Sequence, residues 1–331
     1  MLVDIIFTVS SLALTLFSCF IFTNAIEWFG EKLNLGQGVV GSIFAAVGTA
    51  LPETIIPIIA IFVFHDEKAT QIGVGAIAGA PFMLSTLAFF VTGFAVIIYS
   101  LLRKRSTKMN VDVKVVSTDL SFFLVIYAIA VLTTFIRSFP VIKNVIAVLL
   151  LLSYILYVRR TMSADTDKLE VLNPLFFSKI LRVKTNVISI VIQLLIALAG
   201  IVIGAQIFVS HVEDMSTLLG VSPLILSIII TPIATELPEK FNSVIWTGRE
   251  KDTLAMGNIT GAMVFQSCFP VVFGMLFTSW DLNGITLISA LIAIFAASIN
   301  LTWIKVRKSV SPFFLLLGGV LYTAFLLYVF K

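Results

Sequence analysis

The sequence predicts an all-α transmembrane fold, in which ten helices form two inverted five-helix repeats with broken central helices. Three observations predict it. Of 331 residues, 59% are hydrophobic and only 12% charged, a composition far from that of a soluble domain. Apolar runs of about 20 residues, the length a bilayer-spanning helix needs, recur along the whole chain. The segment GTALPE at 48–53 also returns as ATELPE at 234–239, each placing a proline and a glutamate inside an apolar run.

Polar interruptions bound the first five helices near 4–27, 37–64, 70–101, 116–136 and 140–158, making residues 1–158 the first repeat. Asp4 stands where a signal peptide would carry basic residues, and no small-residue cleavage site follows, so the first run reads as a retained helix. Residues 159–186 contain TMSADTDKLE and read as a cytoplasmic linker, too short for a separate sensing domain. The linker's NPLFFSKILRV stretch has the pattern of a segment lying along the membrane surface with its basic residues toward anionic lipid. Five more helices follow near 187–210, 219–247, 253–279, 282–304 and 311–330, so 187–331 forms the second repeat.

An odd number of helices per half starts the second half on the opposite side of the membrane, so the repeat must be inverted. Antiparallel repeats that meet at the midplane place binding sites on interrupted helices. Basic residues are retained on the cytoplasmic side. With the N-terminus outside, Lys32, Arg103, Lys104, Arg105, Lys108, Lys114, Arg159, Arg160, Lys168, Lys179, Arg182, Lys184, Arg249, Lys251, Lys305, Arg307 and Lys308 are cytoplasmic. Lys68, Arg137, Lys143 and Lys331 fall on the other side, and Lys240 lies within a span. Both termini are therefore expected outside a cell membrane. The net charge of +4 reads as topology, because no basic helix or aromatic-basic ribbon lies outside the apolar runs to engage nucleic acid. Cys19 and Cys268 lie in apolar spans without metal-ligand spacing and read as buried thiols.

Glu53, Glu236 and Glu239 fall in the middle of the second and seventh spans, where a charge costs roughly 3 kcal/mol even on permissive insertion scales. A single such residue can be a protonated, hydrogen-bonded structural group; two placed symmetrically point to a site. Pro52 and Pro238 lack an N–H and clash with the preceding turn, which frees the carbonyls of Gly48 and Ala234. Such groups are tolerated at membrane depth where they are buried in protein or line a cavity. Thr49 and Glu53, like Thr235 and Glu239, share a helix face if the turn persists. Each half thus offers a carboxylate, a hydroxyl and a carbonyl, the oxygen donors that a hard cation such as calcium takes. No nitrogen or sulfur set is present for zinc or copper. Gly75, Gly79, Ala80, Gly257, Gly261 and Ala262 allow close helix approach, which packing alone explains. Asn258 and Gln266 need partners deep in a span and are candidate ligands or supports for ligands.

Glu236 has two readings. With Lys240 four residues on, it forms a favourable helical pair in which each charge lowers the burial cost of the other. Two free carboxylates then remain, enough for one divalent cation or two protons. Alternatively, Glu236 faces the site and Lys240 occupies a cation position as a tethered ammonium.

GTALPE and ATELPE, followed by GAIAGA at 75–80 and GNITGA at 257–262, resemble the two alpha repeats of the sodium/calcium exchanger family, in the calcium/cation antiporter superfamily. The resemblance covers both halves. It implies ten helices in two inverted groups of five and a central site built from the second, third, seventh and eighth. It also implies Glu53 and Glu239 as main calcium ligands assisted by Thr49 and Thr235, with alternating access by sliding of the first and sixth helices. The chain departs from the family's GTSLPE and GNxxGSN at Ala50, Glu236, Ala80, Pro81, Ala262 and Met263, and at Leu84 and Gln266 further on. Several oxygens that serve sodium in the family are absent at these positions.

The expectation is a secondary antiporter that exchanges calcium for sodium, with inorganic cations and the bilayer as its partners and no bound cofactor. Protons are the rival counter-ion. A non-exchanging channel or sensor would share the fold but show no trans-side cation dependence of flux. An intramembrane enzyme would need a Ser–His or paired-aspartate arrangement, or a metal with an open position. His65 and His211 are expected near the outer surface and no aspartate pair lies in a span, so no enzymatic activity is expected.

Overall fold

A chain in hydrocarbon must satisfy its own backbone N–H and C=O groups, and the apolar runs accordingly fold as helices. The computed structural model describes residues 2–50, 53–54, 57–58, 61, 67–136, 139–164, 172–218 and 236–329, and every regular element among them is helical. Helix α1 is Leu2–Lys32 and α2 is Gln37–Thr49. Helix α3 starts as Glu67–Met83, passes through a π-helical turn at Leu84–Ala88 and ends as Phe89–Leu101. Then come α4 (Val113–Leu132), α5 (Pro140–Ala164) and the short α6 (Phe176–Leu181). The second half holds α7 (Val187–Leu218), α8 (Leu237–Gly248), α9 (Asp252–Phe277), α10 (Gly284–Arg307) and α11 (Pro312–Val329).

Among the described residues, eight helices are long and apolar enough to cross a bilayer: α1, α3, α4, α5, α7, α9, α10 and α11. The two other expected spans are the interrupted ones, α2 with the residues around Glu53, and α8 with the residues before it. Helix starts follow local chemistry. Asp112 caps α4 by accepting from the Lys114 N–H (2.8 Å), and Asn283 and Thr286 form a reciprocal capping box on α10. Helix α5 continues to Ala164, beyond the expected boundary at 158, because nothing in YVRRTMS breaks a helix once its basic face is exposed. Of the linker, 165–171 lie outside the described residues.

Helices α1 and α7 form a pair that runs antiparallel along most of its length. Asp4 and His211 meet at one end (3.2 Å), and Gln193 donates to Asn24 (3.0 Å) and to the Ile21 carbonyl (3.1 Å) at the other. Ser18 and Thr15 fill the space left by Gly200 and Gly204. The linker docks on this pair. Asn24 accepts from the Phe176 N–H, Gln193 accepts from the Phe177 N–H, and Trp28 donates to the Asn173 carbonyl, each at 2.8 Å.

Helix α9 is buried along nearly its whole length and forms the axis of the bundle, touching α2, α3, α4, α5 and α8. Two ion-pair clusters close the basic end of the molecule. Arg105, expected as a topology-setting surface charge, is instead buried in a bidentate pair with Asp252 (2.7 and 2.8 Å) and donates to the Thr247 carbonyl (2.7 Å). Glu27 of α1 accepts from Trp246 (2.9 Å) and from Lys251.

Candidate cation site

The first central helix breaks just before Pro52, and in the second half a helix starts at Leu237, with Pro238 in its first turn. Helix α2 ends at Thr49, with Ala50 leaving the helical range at φ −81°, ψ 10°. The turn therefore does not persist to Glu53, and Thr49 and Glu53 do not share one continuous helix face. Glu53 and Thr54 are helical again beyond the break, where Thr54 donates back to the Ala50 carbonyl (2.7 Å). In the second half α8 begins at Leu237, with Glu236 at its N-cap, Pro238 in the first positions and Glu239 in the first turn. Proline is tolerated there because the first helical N–H groups have no intrahelical partner. Pro52, Ala234 and Thr235 lie outside the described residues.

The two glutamates are the centre of the arrangement. Glu53 is 6% exposed and Glu239 fully buried, and among the described residues no close hydrogen bond reaches the oxygens of either carboxylate, the Thr49 hydroxyl lying near those of Glu239. Their charges are near enough to interact with each other. Thr49 donates to the Ala45 carbonyl (3.0 Å), and its hydroxyl lies 3.3 Å from Asn258 Oδ1. The Asn258 amide then donates to the Glu239 carbonyl (3.3 Å). Thr49 of the first half and Glu239 of the second are thus joined through one side chain of α9. Gln266, on the same helix, is buried with both amide atoms unpartnered among the described residues. Gly48 faces Phe22 of α1 and Leu198 of α7, so the end of α2 rests on the α1–α7 pair.

Glu236 differs from its neighbours. Lys240 donates to its Oε2 at 2.8 Å, the i,i+4 pair expected from the sequence, while Oε1 has no partner. The ammonium is held by Glu236. Among the described residues no three His, Cys, Asp or Glu side chains converge at metal-ligand spacing. Among the described residues the oxygen groups gathered here are the carboxylates of Glu53 and Glu239, the Thr49 hydroxyl and the Asn258 amide. Buried polar atoms without partners are costly, and among the described residues Glu53, Glu239 and Gln266 carry several of them.

The sequence reading missed Asn242, one turn along α8 from Glu239, fully buried with both amide atoms unpartnered among the described residues. It also missed Asp119, buried on α4. The repeat gave no signal for either, since Asn242 lies outside the LPE motif and Asp119 falls near a predicted helix end.

The sequence model of the sodium/calcium exchanger protein family matches residues 3–162 and 189–331, nearly the whole chain. The chain belongs to the sodium/calcium exchanger family. Membership makes it a multi-pass membrane protein and an ion-exchanging transporter. Uncharacterized membrane protein MJ0091 of Methanocaldococcus jannaschii is 24% identical over 256 residues, 77% of this chain and 76% of that protein. The exchanger-family fold is matched by solved structures of the sodium-calcium exchanger NCX_Mj. One soaked with zero Na+ and Ca2+ gives a TM-score of 0.73 at 20% identity, covering 99% of both chains. Another, soaked with 2.5 mM Na+ and 10 mM Sr2+, gives 0.73 at 19% identity over 98% of this chain and 97% of that one. The two-repeat helical architecture expected from the sequence is therefore the architecture of this exchanger-family chain.

Proposed function

We propose that this exchanger-family protein is a secondary active antiporter exchanging calcium for sodium by alternating access at Glu53 and Glu239. The observation that carries the reading is the pair of buried carboxylates, Glu53 and Glu239, whose charges interact and which no basic side chain pairs with among the described residues. Two carboxylates match the charge of one divalent ion, and hard divalent ions take carboxylate, carbonyl and hydroxyl oxygens. We assign Thr49, Thr235, the carbonyls of Gly48 and Ala234, and the amides of Asn258 and Gln266 as supporting donors. Glu236 is assigned to the ion pair with Lys240, the reading its 2.8 Å contact supports.

The α1–α7 pair is proposed as the element that slides past the site, carrying the docked linker with it. Residues 1–158 and 187–331 are the two inverted repeats, joined by the cytoplasmic linker 159–186. The asymmetry of lysine and arginine supports a cell membrane location with both termini outside.

One observation favours protons as counter-ion. Ala50, Ala80, Leu84, Ala262 and Met263 are all buried, and none offers a side-chain oxygen at the positions where the family pattern supplies them. Calcium flux into proteoliposomes separates the two. Uptake driven by an outward sodium gradient supports sodium exchange, and uptake indifferent to sodium but driven by a pH gradient overturns it in favour of protons. Flux that ignores any trans cation contradicts exchange altogether.

A further inference from the structure

We propose that Asp119 is a positioning residue of the cation site, fixing the register between the helix that carries Thr49 and the helix that carries Asn258. The inference rests on the functional reading above, since the effect it names is on cation binding.

Asp119 is 1% exposed on α4 and accepts three hydroxyls from three other helices. Ser42 of α2 and Thr260 of α9 both donate to Oδ2 at 2.7 Å, and Tyr157 of α5 donates to Oδ1 at 2.8 Å. The Thr260 hydroxyl also lies 3.0 Å from the Met256 carbonyl, but the shorter contact to the carboxylate takes its proton. Among the described residues no lysine, arginine or histidine forms a salt bridge with Asp119. Its function is to gather hydroxyls, and two of the three belong to the helices that cross at the site.

That crossing is one of the close backbone approaches between the two halves. A Cβ on Gly261 would collide with the Ser42 carbonyl oxygen and Cα, and one on Gly257 would lie 3.0 Å from the Ser42 hydroxyl. The crossing occurs within Val40–Ala45, where α2 widens to π-helical geometry. A π segment has poorer local hydrogen bonding than the α-helix around it and is common at functional sites. Its register against α9 is therefore set from outside, by a carboxylate that bonds one residue from each helix with the same oxygen. Two turns along α2 lies Thr49, and within one turn of Thr260 on α9 lies Asn258. A slip at Ser42 and Thr260 would carry Thr49 away from Asn258, and Asn258 away from the Glu239 carbonyl.

Four variants in purified, reconstituted protein test this. Ser42→Ala and Thr260→Val each remove one hydroxyl at the crossing and should raise the calcium KM roughly tenfold, the scale on which groups that orient metal ligands act. Their maximal rate should stay within about twofold of wild type. Thr260→Ser keeps the hydroxyl and should restore wild-type KM. Tyr157→Phe removes the bond to α5 alone and should leave KM unchanged, although it loses the same number of hydrogen bonds. Calcium titration of the monodisperse fraction keeps the readout on folded molecules. Wild-type affinity in Ser42→Ala and Thr260→Val overturns the assignment. So does an equal loss in Tyr157→Phe, which would make Asp119 a general structural hub. A wild type that neither binds nor transports calcium overturns the functional reading, and this inference with it.

Discussion

Buried acids fall into two groups in this protein, and the contrast between them supports the proposed site. Glu27, Asp119 and Asp252 give every carboxylate oxygen a partner: Trp246 and Lys251 for the first, three hydroxyls for the second, and Arg105 with the Asn110 N–H for the third. Glu53 and Glu239 have no close partner for either oxygen among the described residues, with only the Thr49 hydroxyl near Glu239. Glu236 stands between, with one oxygen on Lys240 and one free. A buried carboxylate costs several kcal/mol in apolar surroundings unless something compensates it. Where compensation is built in, the acid holds helices together. Where no built-in partner is described, a cation or a proton would supply the compensation, and the proposed function takes that to be the cargo.

The comparison can be broken at several points. The largest effect is expected at the saturated acids. Asp252→Asn removes the charge that Arg105 faces and should cost about 3–5 kcal/mol of stability, the scale of breaking a buried pair from one side. Thermal unfolding in detergent would show a much earlier transition, with unchanged calcium affinity in the fraction that stays folded. Unaltered stability would mean that partnering does not separate the groups. Lys240→Ala should cost a similar amount by stranding Glu236, and the double variant Glu236→Gln with Lys240→Met should recover most of it. If Lys240→Ala instead stays stable and changes ion selectivity, the ammonium is a tethered cation in the site. A smaller loss, about 1–3 kcal/mol, is expected for Gly261→Ala, because the added methyl meets the Ser42 backbone and not a side chain that could rotate away. Asn242→Leu should be the mildest in stability, neutral or slightly favourable, since it removes an amide that bonds nothing. A marked loss there would show that Asn242 has a partner in the folded protein.

How much of this was legible in the sequence depended on repetition and on distance along the chain. The glutamates were readable because the LPE motif occurs twice, and the breaks because proline acts on its own turn. Glu236 with Lys240 was readable as a pair because four residues span one helical turn. Arg105 was not, because its partner Asp252 lies 147 residues away and a basic loop residue near a span reads as topology. Asp119 was hidden for a related reason. Its donors come from three helices, and serine, threonine and tyrosine carry no charge to announce them. The π segments in α2 and α3 left no signal either, since they arise from tertiary crossings. The shared face of Thr49 and Glu53 was expected only if the turn persisted, and the chain leaves the helix at Ala50.

The central claim is that the unpartnered carboxylates are the cation ligands, and calcium titration tests it most directly. Calorimetry on purified wild type, Glu53→Gln and Glu239→Gln should show binding in the wild type and a loss of at least about 100-fold in each variant, roughly 2.7 kcal/mol. Wild-type affinity in both variants, with folded protein, would contradict the account.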